Sequence, residues 1–158
     1  MTRKIGTGAI AALAFGTVSL FAQSGHFVTG GGNAARCNDT GTQVECSGKV
    51  AGLGGTTFEI TVEAPGLATV TCTNPGGNIA PGQNTAVNVA GTTTPLPTPQ
   101  NGQFRFSITS DEPGPLPPTP TCPNVQWMPS ITDVSFTTAT LSLFEDGVLS
   151  DQITVTVN

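Results

Sequence analysis

Tyrosine is absent from the 158 residues, histidine occurs once, as His26, and only 9% of the chain is charged. Each scarcity removes a class of function. A lone imidazole leaves no second histidine for a paired-histidine metal centre. No Gly-x-Ser-x-Gly turn accompanies it, so a serine-histidine hydrolase has no recognisable nucleophile. Beyond residue 24 the basic residues are Arg36, Lys49 and Arg105, against ten acidic ones. Three scattered cations cannot neutralise a row of phosphates, which excludes nucleic acid as a partner. The same balance disfavours adhesion to an anionic membrane surface.

Long apolar runs are equally scarce, and the one present is N-terminal. Arg3 and Lys4 precede a stretch from Ile5 to Ala22 that is interrupted by Gly6, Thr7, Gly8, Gly16, Thr17 and Ser19. It falls short of the roughly 20 apolar residues of a membrane span. A basic start, an apolar middle and small residues at Ala22 and Ser24 form the pattern of a secretory signal peptide. Cleavage is expected after Ser24, with Ala22 as the alternative. The expected organisation is a leader over 1–24 and a single secreted domain over 25–158, extracellular, with no membrane insertion once the leader is removed.

Cysteine is sparse but even in number: Cys37, Cys46, Cys72 and Cys122. In an exported chain four cysteines read as two disulfides, and three connectivities are open. The favoured pairing joins Cys37 to Cys46 across a short local loop and Cys72 to Cys122 across the proline-rich middle. A zinc site would need closely spaced pairs, and Cys-x-x-Cys does not occur. No cofactor is expected.

What the chain has in quantity is alternation. TTFEITVEAP places Phe58, Ile60, Val62 and Ala64 on one face and Thr57, Glu59, Thr61 and Glu63 on the other, the pattern of a half-buried strand. QFRFSITS repeats it with Phe104, Phe106 and Ile108, and QITVTVN with Ile153, Val155 and Val157. QVECSGKVAGL, GLATVTCT and TAVNVAG add shorter strands, each bounded by Gly, Pro or Asn. The Asp-Gly of FEDGV predicts a tight hairpin between the last two strands. In ITDVSFTTATLSLFEDG the apolar residues pass from Val134 and Phe136 to Ala139, Leu141 and Leu143. That change of phase near Thr137 and Thr138 predicts a β-bulge or a strand that switches sheets. The expected fold is all-β: an antiparallel two-sheet sandwich of Ig-like type, with long Pro/Gly-rich loops and two disulfides.

Eleven of the thirteen prolines fall between residues 75 and 123. TPLPTPQNG and DEPGPLPPTPTCP are expected as extended loops stitched onto the sandwich. CTNPGGNIAPGQN, residues 72 to 84, contains no Lys or Arg and opens no helix, so it is read as turns rather than a phosphate cradle. Asn74 to Gly77 suits a type II turn, and Asn74, Asn78, Gln83 and Asn84 offer amides to loop carbonyls.

HFV at 26 to 28, CSGKVAGLGG at 46 to 55, the 72 to 84 loop, CPNVQW and ITDVSFTTATLSLFEDG resemble a family of small secreted bacterial proteins whose activity is not established. The resemblance spans nearly the whole chain after the leader. It implies an extracellular β-domain with two cysteine pairs and carries over no catalytic residue.

The functional expectation is a non-catalytic binding or structural module, not an enzyme. The pairs Asp111-Glu112 and Glu145-Asp146 fall at turns, where neighbouring carboxylates are expected to be solvated, whereas a glycosidase pair must face one cleft. Copper oxygenases that cleave polysaccharides use an N-terminal histidine, but His26 would require cleavage after Gly25 and lacks a second histidine. It remains the one weak metal candidate. Trp127, flanked by Asn124 and Gln126, is the candidate sugar platform, set against the alternative of an indole buried beside Cys122. The strand QITVTVN offers a sheet edge for self-association. The partners considered are thus an extracellular glycan, a protein, or a second copy of the chain.

Overall fold

Alternation over one long strand organises the molecule, seen in a computed structural model that describes residues 24–158. The expected leader, apart from Ser24, lies outside the described residues. In chain order the strands are β1 (His26–Phe27), β2 (Arg36–Asp39), β3 (Val44–Ala51), β4 (Thr57–Thr73), β5 (Ile79–Pro81) and β6 (Thr85–Thr92). They continue with β7 (Leu96–Pro97), β8 (Phe104–Thr109), β9 (Met128–Phe136), β10 (Thr138–Glu145) and β11 (Val148–Thr156). All their pairings are antiparallel.

The inward series Phe58, Ile60, Val62, Ala64 continues through Ala68, Val70 and Cys72, all buried. TTFEITVEAP and GLATVTCT are therefore one 17-residue strand, β4, and not two. Pro65 and Gly66 fail to break it for identifiable reasons. Ile60 exchanges hydrogen bonds with Thr93 on the β6 side, so the odd-numbered backbone groups, Pro65 included, face the other edge. There β10 pairs up to Glu63 and β9 begins at Gly66. The missing N–H falls in that junction and interrupts no ladder. At Gly66 a Cβ would lie 2.5 Å from Val134 Cγ1, a close approach that only glycine allows.

β4 is the centre of the larger sheet. β7, β6 and β5 line one edge, β10 and β9 the other, and β11 lies outside β10. In the smaller sheet β1 and β2 lie one after the other along β3, with β8 on its far side. The two sheets enclose Phe27, Val44, Val50, Phe106 and Ile108 from one side and Phe58, Ile60, Val62, Leu141 and Leu143 from the other. This is the expected sandwich. Phe58 and Phe104 meet across it with ring centroids 5.0 Å apart, a separation favourable for aromatic pairs.

The change of phase is a bulge, and both halves of the segment stay in one sheet. Glu63 faces Thr140 and Gly66 faces Phe136, so β9 and β10 carry one residue more than β4 there. The Asp-Gly hairpin also forms as expected: Asp146 has φ 48° and Gly147 φ 80°, the two left-handed residues of a type I′ turn. The disulfides are Cys37–Cys46, directly opposite in β2 and β3, and Cys72–Cys122.

Two loop expectations need correction. Leu96 and Pro97 form β7 against Phe58 and Thr57, so part of TPLPTPQNG is strand, with its prolines at a sheet edge. In the 72 to 84 segment the positive φ is at Gly77, 81°, and not at Gly76. With the Gly77 N–H donating to Asn74 O at 2.9 Å, the turn is not type II; a left-handed glycine follows it and closes the β4–β5 hairpin. The amide that serves this loop is Asn74, whose Oδ1 accepts the N–H of Asn78 at 2.9 Å.

Candidate functional site

Glu145 continues the inward series Ala139, Leu141, Leu143 of β10 and is fully buried. The expectation of two solvated neighbours is therefore wrong for Glu145. The period of the strand, not the nearby turn, decides where this side chain points. Its Oε1 accepts the N–H groups of Gly54 and Gly55 at 2.7 and 3.1 Å. Asp146, at the exposed turn, accepts the N–H groups of Thr56 and Thr57 at Oδ1, at 3.1 and 2.9 Å, and the Thr56 hydroxyl at 2.7 Å. Four consecutive N–H groups of the GGTT segment are thus shared between two adjacent carboxylates.

The second oxygen of Glu145 faces the N-terminal segment. Oε2 accepts the Gly25 N–H at 2.9 Å and the Ser150 hydroxyl at 2.6 Å. Ser150 can reach because it is an extra residue in β11, where the register moves from Leu143 opposite Asp151 to Phe144 opposite Leu149. The bulge re-aims a side chain, as bulges do. Burial pushes the Glu145 carboxyl up, but the Ser150 hydroxyl and the Gly54, Gly55 and Gly25 N–H groups outweigh it and hold it below its usual value. The Thr56 hydroxyl, then the Thr57 and Thr56 N–H groups, draw Asp146 down to about 2. Carboxylates so stabilised stay ionised and accept hydrogen bonds. Their geometry is that of a structural knot, not of a general acid facing a cleft.

Of the other residues singled out in the sequence, His26 adjoins Gly25 and the rest lie outside this knot. His26 is exposed at the edge of β1, with Nδ1 3.1 Å from Ser24 O. Among the described residues no group of three or more His, Cys, Asp or Glu side chains is placed to hold a metal. Trp127 is half-buried and packs against the core, while Asn124 and Gln126 are exposed. Asn124 is engaged locally: its Oδ1 accepts the Gln126 N–H at 3.0 Å and its carbonyl the Trp127 N–H at 3.2 Å. The Asp111-Glu112 pair is exposed, as expected.

On either side of Thr73, at the Cys72 end of the large sheet, the structure exposes apolar side chains that the sequence did not announce. Ile79, Val125 and Met128 are 71%, 73% and 74% exposed. Ile79 in β5 and Met128 in β9 are both cross-strand partners of Thr73, so they occupy one row on the outer face of the sheet. Val125 stands in the turn that leads into β9. The only sequence signal was that each is a large apolar residue among polar loop residues. A second feature is a shallow depression of about 280 Å³ on the same sheet, where Glu63, Thr92, Asp111 and Phe144 are among the lining residues.

No family model matches the chain, and no curated protein or solved structure matches it.

Proposed function

We propose that this chain is an exported, non-catalytic interaction domain that docks the apolar surface of a protein partner on the Ile79–Val125–Met128 patch. The exposure of these three side chains at the disulfide-tied end of the large sheet carries the reading. Large apolar groups left exposed near one another mark interaction surfaces, here with Ile79 and Met128 on either side of Thr73, and methionine is over-represented in interface centres. The exposed Asn78, Asn124 and Gln126 supply the polar rim. Export is supported by the leader pattern and by two disulfides, which suit an oxidising environment. Among the described residues no helix is long and apolar enough to cross a membrane. The Ig-like connection of the sheets belongs to the same proposal and rests on the antiparallel strands alone.

A glycan platform is the second reading. Trp127 favours it by being half-exposed, and its packing against the core speaks for a structural role instead. The test is capture from the native extracellular medium on the immobilised exported protein, with Ile79→Lys/Met128→Lys as control. A protein retained by the wild type and lost with the folded variant supports the proposal. Retention unaffected by the variant, or retention only of glycans, overturns it. Concentration-dependent light scattering abolished by the same variant would identify the partner as a second copy.

A further inference from the structure

The N-terminal segment is held by side chains standing in for a neighbouring strand. Gly25 N–H donates to Glu145 Oε2 at 2.9 Å and Phe27 N–H donates to Asp151 Oδ2 at 2.8 Å, while Ser150 Oγ, whose one proton goes to Glu145 Oε2, lies 2.9 Å from Gly25 O. Gly25 is buried, and a Cβ there would sit 2.7 Å from Glu145 Oε2. A side chain at position 25 would push the Glu145 carboxylate out of its place, and the nitrogen of Gly25 points at that buried carboxylate. Ser24, by contrast, is exposed. Its bonds, Oγ–H to Gly52 O at 2.9 Å and O to His26 Nδ1 at 3.1 Å, are both at the solvent rim.

We propose that Glu145 is the receptor for a new chain terminus: hydrolysis of the Ser24–Gly25 bond leaves an α-ammonium on Gly25 that pairs with the Glu145 carboxylate and locks the mature N-terminus between the sheets. The inference rests on the export reading, since an endopeptidase that removes leader peptides must make the cut. One water is consumed, the carboxylate leaves on Ser24 with the leader, and the amine retained on Gly25 takes up a proton. The uncut amide already donates one hydrogen bond at this place. The cut adds a charge at the same nitrogen, and charge-assisted bonds of this kind are about twice as strong as neutral ones. The bonds lost with Ser24 are exposed ones, which contribute little.

The charged and titratable groups around the new terminus are Glu145 from β10, Asp151 from β11, His26 from β1 and Asp146 at the hairpin. The acidic ones are three and all favour a cation. An ammonium paired this way titrates above the roughly 7.7–8.0 of a free chain terminus. Its stabilisation is then complete below that pH and is lost as pH rises through the folded value.

The full chain, expressed with its leader, should yield an exported product whose first residue on N-terminal sequencing is Gly25. Selective acetylation of that α-amine should lower Tm by at least about 3 °C at pH 7. The difference between the two forms should vanish above about pH 10, where the free amine is neutral. An NMR titration of the Gly25 amine reads the same pairing without any substitution, as a pKa raised above the free-terminus range. Export with a different first residue overturns this proposal and leaves the export reading standing. Retention of an uncut chain inside the cell overturns both. A Gly25 terminus with an ordinary pKa and an acetylated form of equal Tm shows that the cut creates no lock, and also overturns it.

Discussion

Glu145 gives the most direct test of how the two sheets are held together. Replacing it by alanine withdraws the acceptor from the Gly25, Gly54 and Gly55 N–H groups and from the Ser150 hydroxyl. An unpaired buried donor costs about 1–3 kcal/mol. Only the Gly25 contact is fully buried; the others are partly buried, and water can reach them. Taking about 2 kcal/mol for Gly25 and about 1 for each of the other three gives a loss of about 5 kcal/mol. That is comparable to the whole stability of a small domain, about 5–15 kcal/mol.

Glutamine should cost less, and the geometry says how much less. Its oxygen can remain at the Oε1 place, serving Gly54 and Gly55, with the NH₂ at the Oε2 place. The Ser150 hydroxyl can turn and accept, which leaves only the Gly25 N–H displaced, a loss of about 2 kcal/mol. Leucine separates lost bonds from lost volume: it fills the space but pairs none of the donors, so it should be about as damaging as alanine. Urea denaturation followed by Trp127 fluorescence and circular dichroism, extrapolated linearly, measures all three. A Glu145→Leu protein close to wild type would refute the reasoning, because it would show that volume and not hydrogen bonding is what Glu145 supplies.

The disulfides should differ in worth according to the loops they close. For sequence separations of 50 and 9, chain entropy gives about 4 kcal/mol for Cys72–Cys122 and about 2.5 for Cys37–Cys46, so denaturation of the paired Cys→Ala variants should rank them in that order, and the reverse order would sink the argument. Acid should destabilise the protein: Asp146 falls from 3.8 to about 2 and Glu145 is lowered too, so their stabilisation is present above the unfolded value and is lost as pH falls towards about 2. Thermal melts from pH 7 to 2 should show this loss, and Asp146→Asn, which keeps the left-handed preference of the turn, should flatten its acid side; an unchanged slope would remove Asp146 from the account.

Period-2 alternation made most of the strands legible, because each inward face had only one way to be buried. The Asp-Gly hairpin could be read because it is a local rule with one strong outcome. The phase change near Thr137, by contrast, left a bulge or a sheet switch open, and the four cysteines left three pairings, of which the structure forms the favoured one. Proline and glycine normally punctuate, which suggests two strands where β4 is one, and the junction between its neighbours β10 and β9 cancels that rule at Pro65. For Glu145 the signal lies in the strand itself: Ala139, Leu141, Leu143 and Glu145 share one parity, and the strand's phase outranks the residue's charge. The patch was not legible at all, since Ile79 and Met128 lie far apart in sequence and meet only because both pair with Thr73.

The same register connects stability with the proposed contact. β5 is three residues long, too short to hold itself in place, and its pairing with Thr71–Thr73 is reinforced from outside. Gly82 N–H donates to Val70 O at 2.8 Å, and Gln83 N–H to Thr121 O at 2.9 Å, one residue before Cys122. A Cβ at Gly82 would stand 3.0 Å from Cys72 Sγ, so the chain after β5 passes directly over the bridge. The disulfide thus fixes both neighbours of Thr73, β5 with Ile79 and the turn that leads into Met128. Without it the core faces of β4 would still be buried, but these two edges would have to be ordered when the partner binds. The entropy of that ordering then falls on the binding step and lowers affinity. For a surface made of three side chains from two strands and a turn, the cross-link is what makes the patch one surface before a partner arrives.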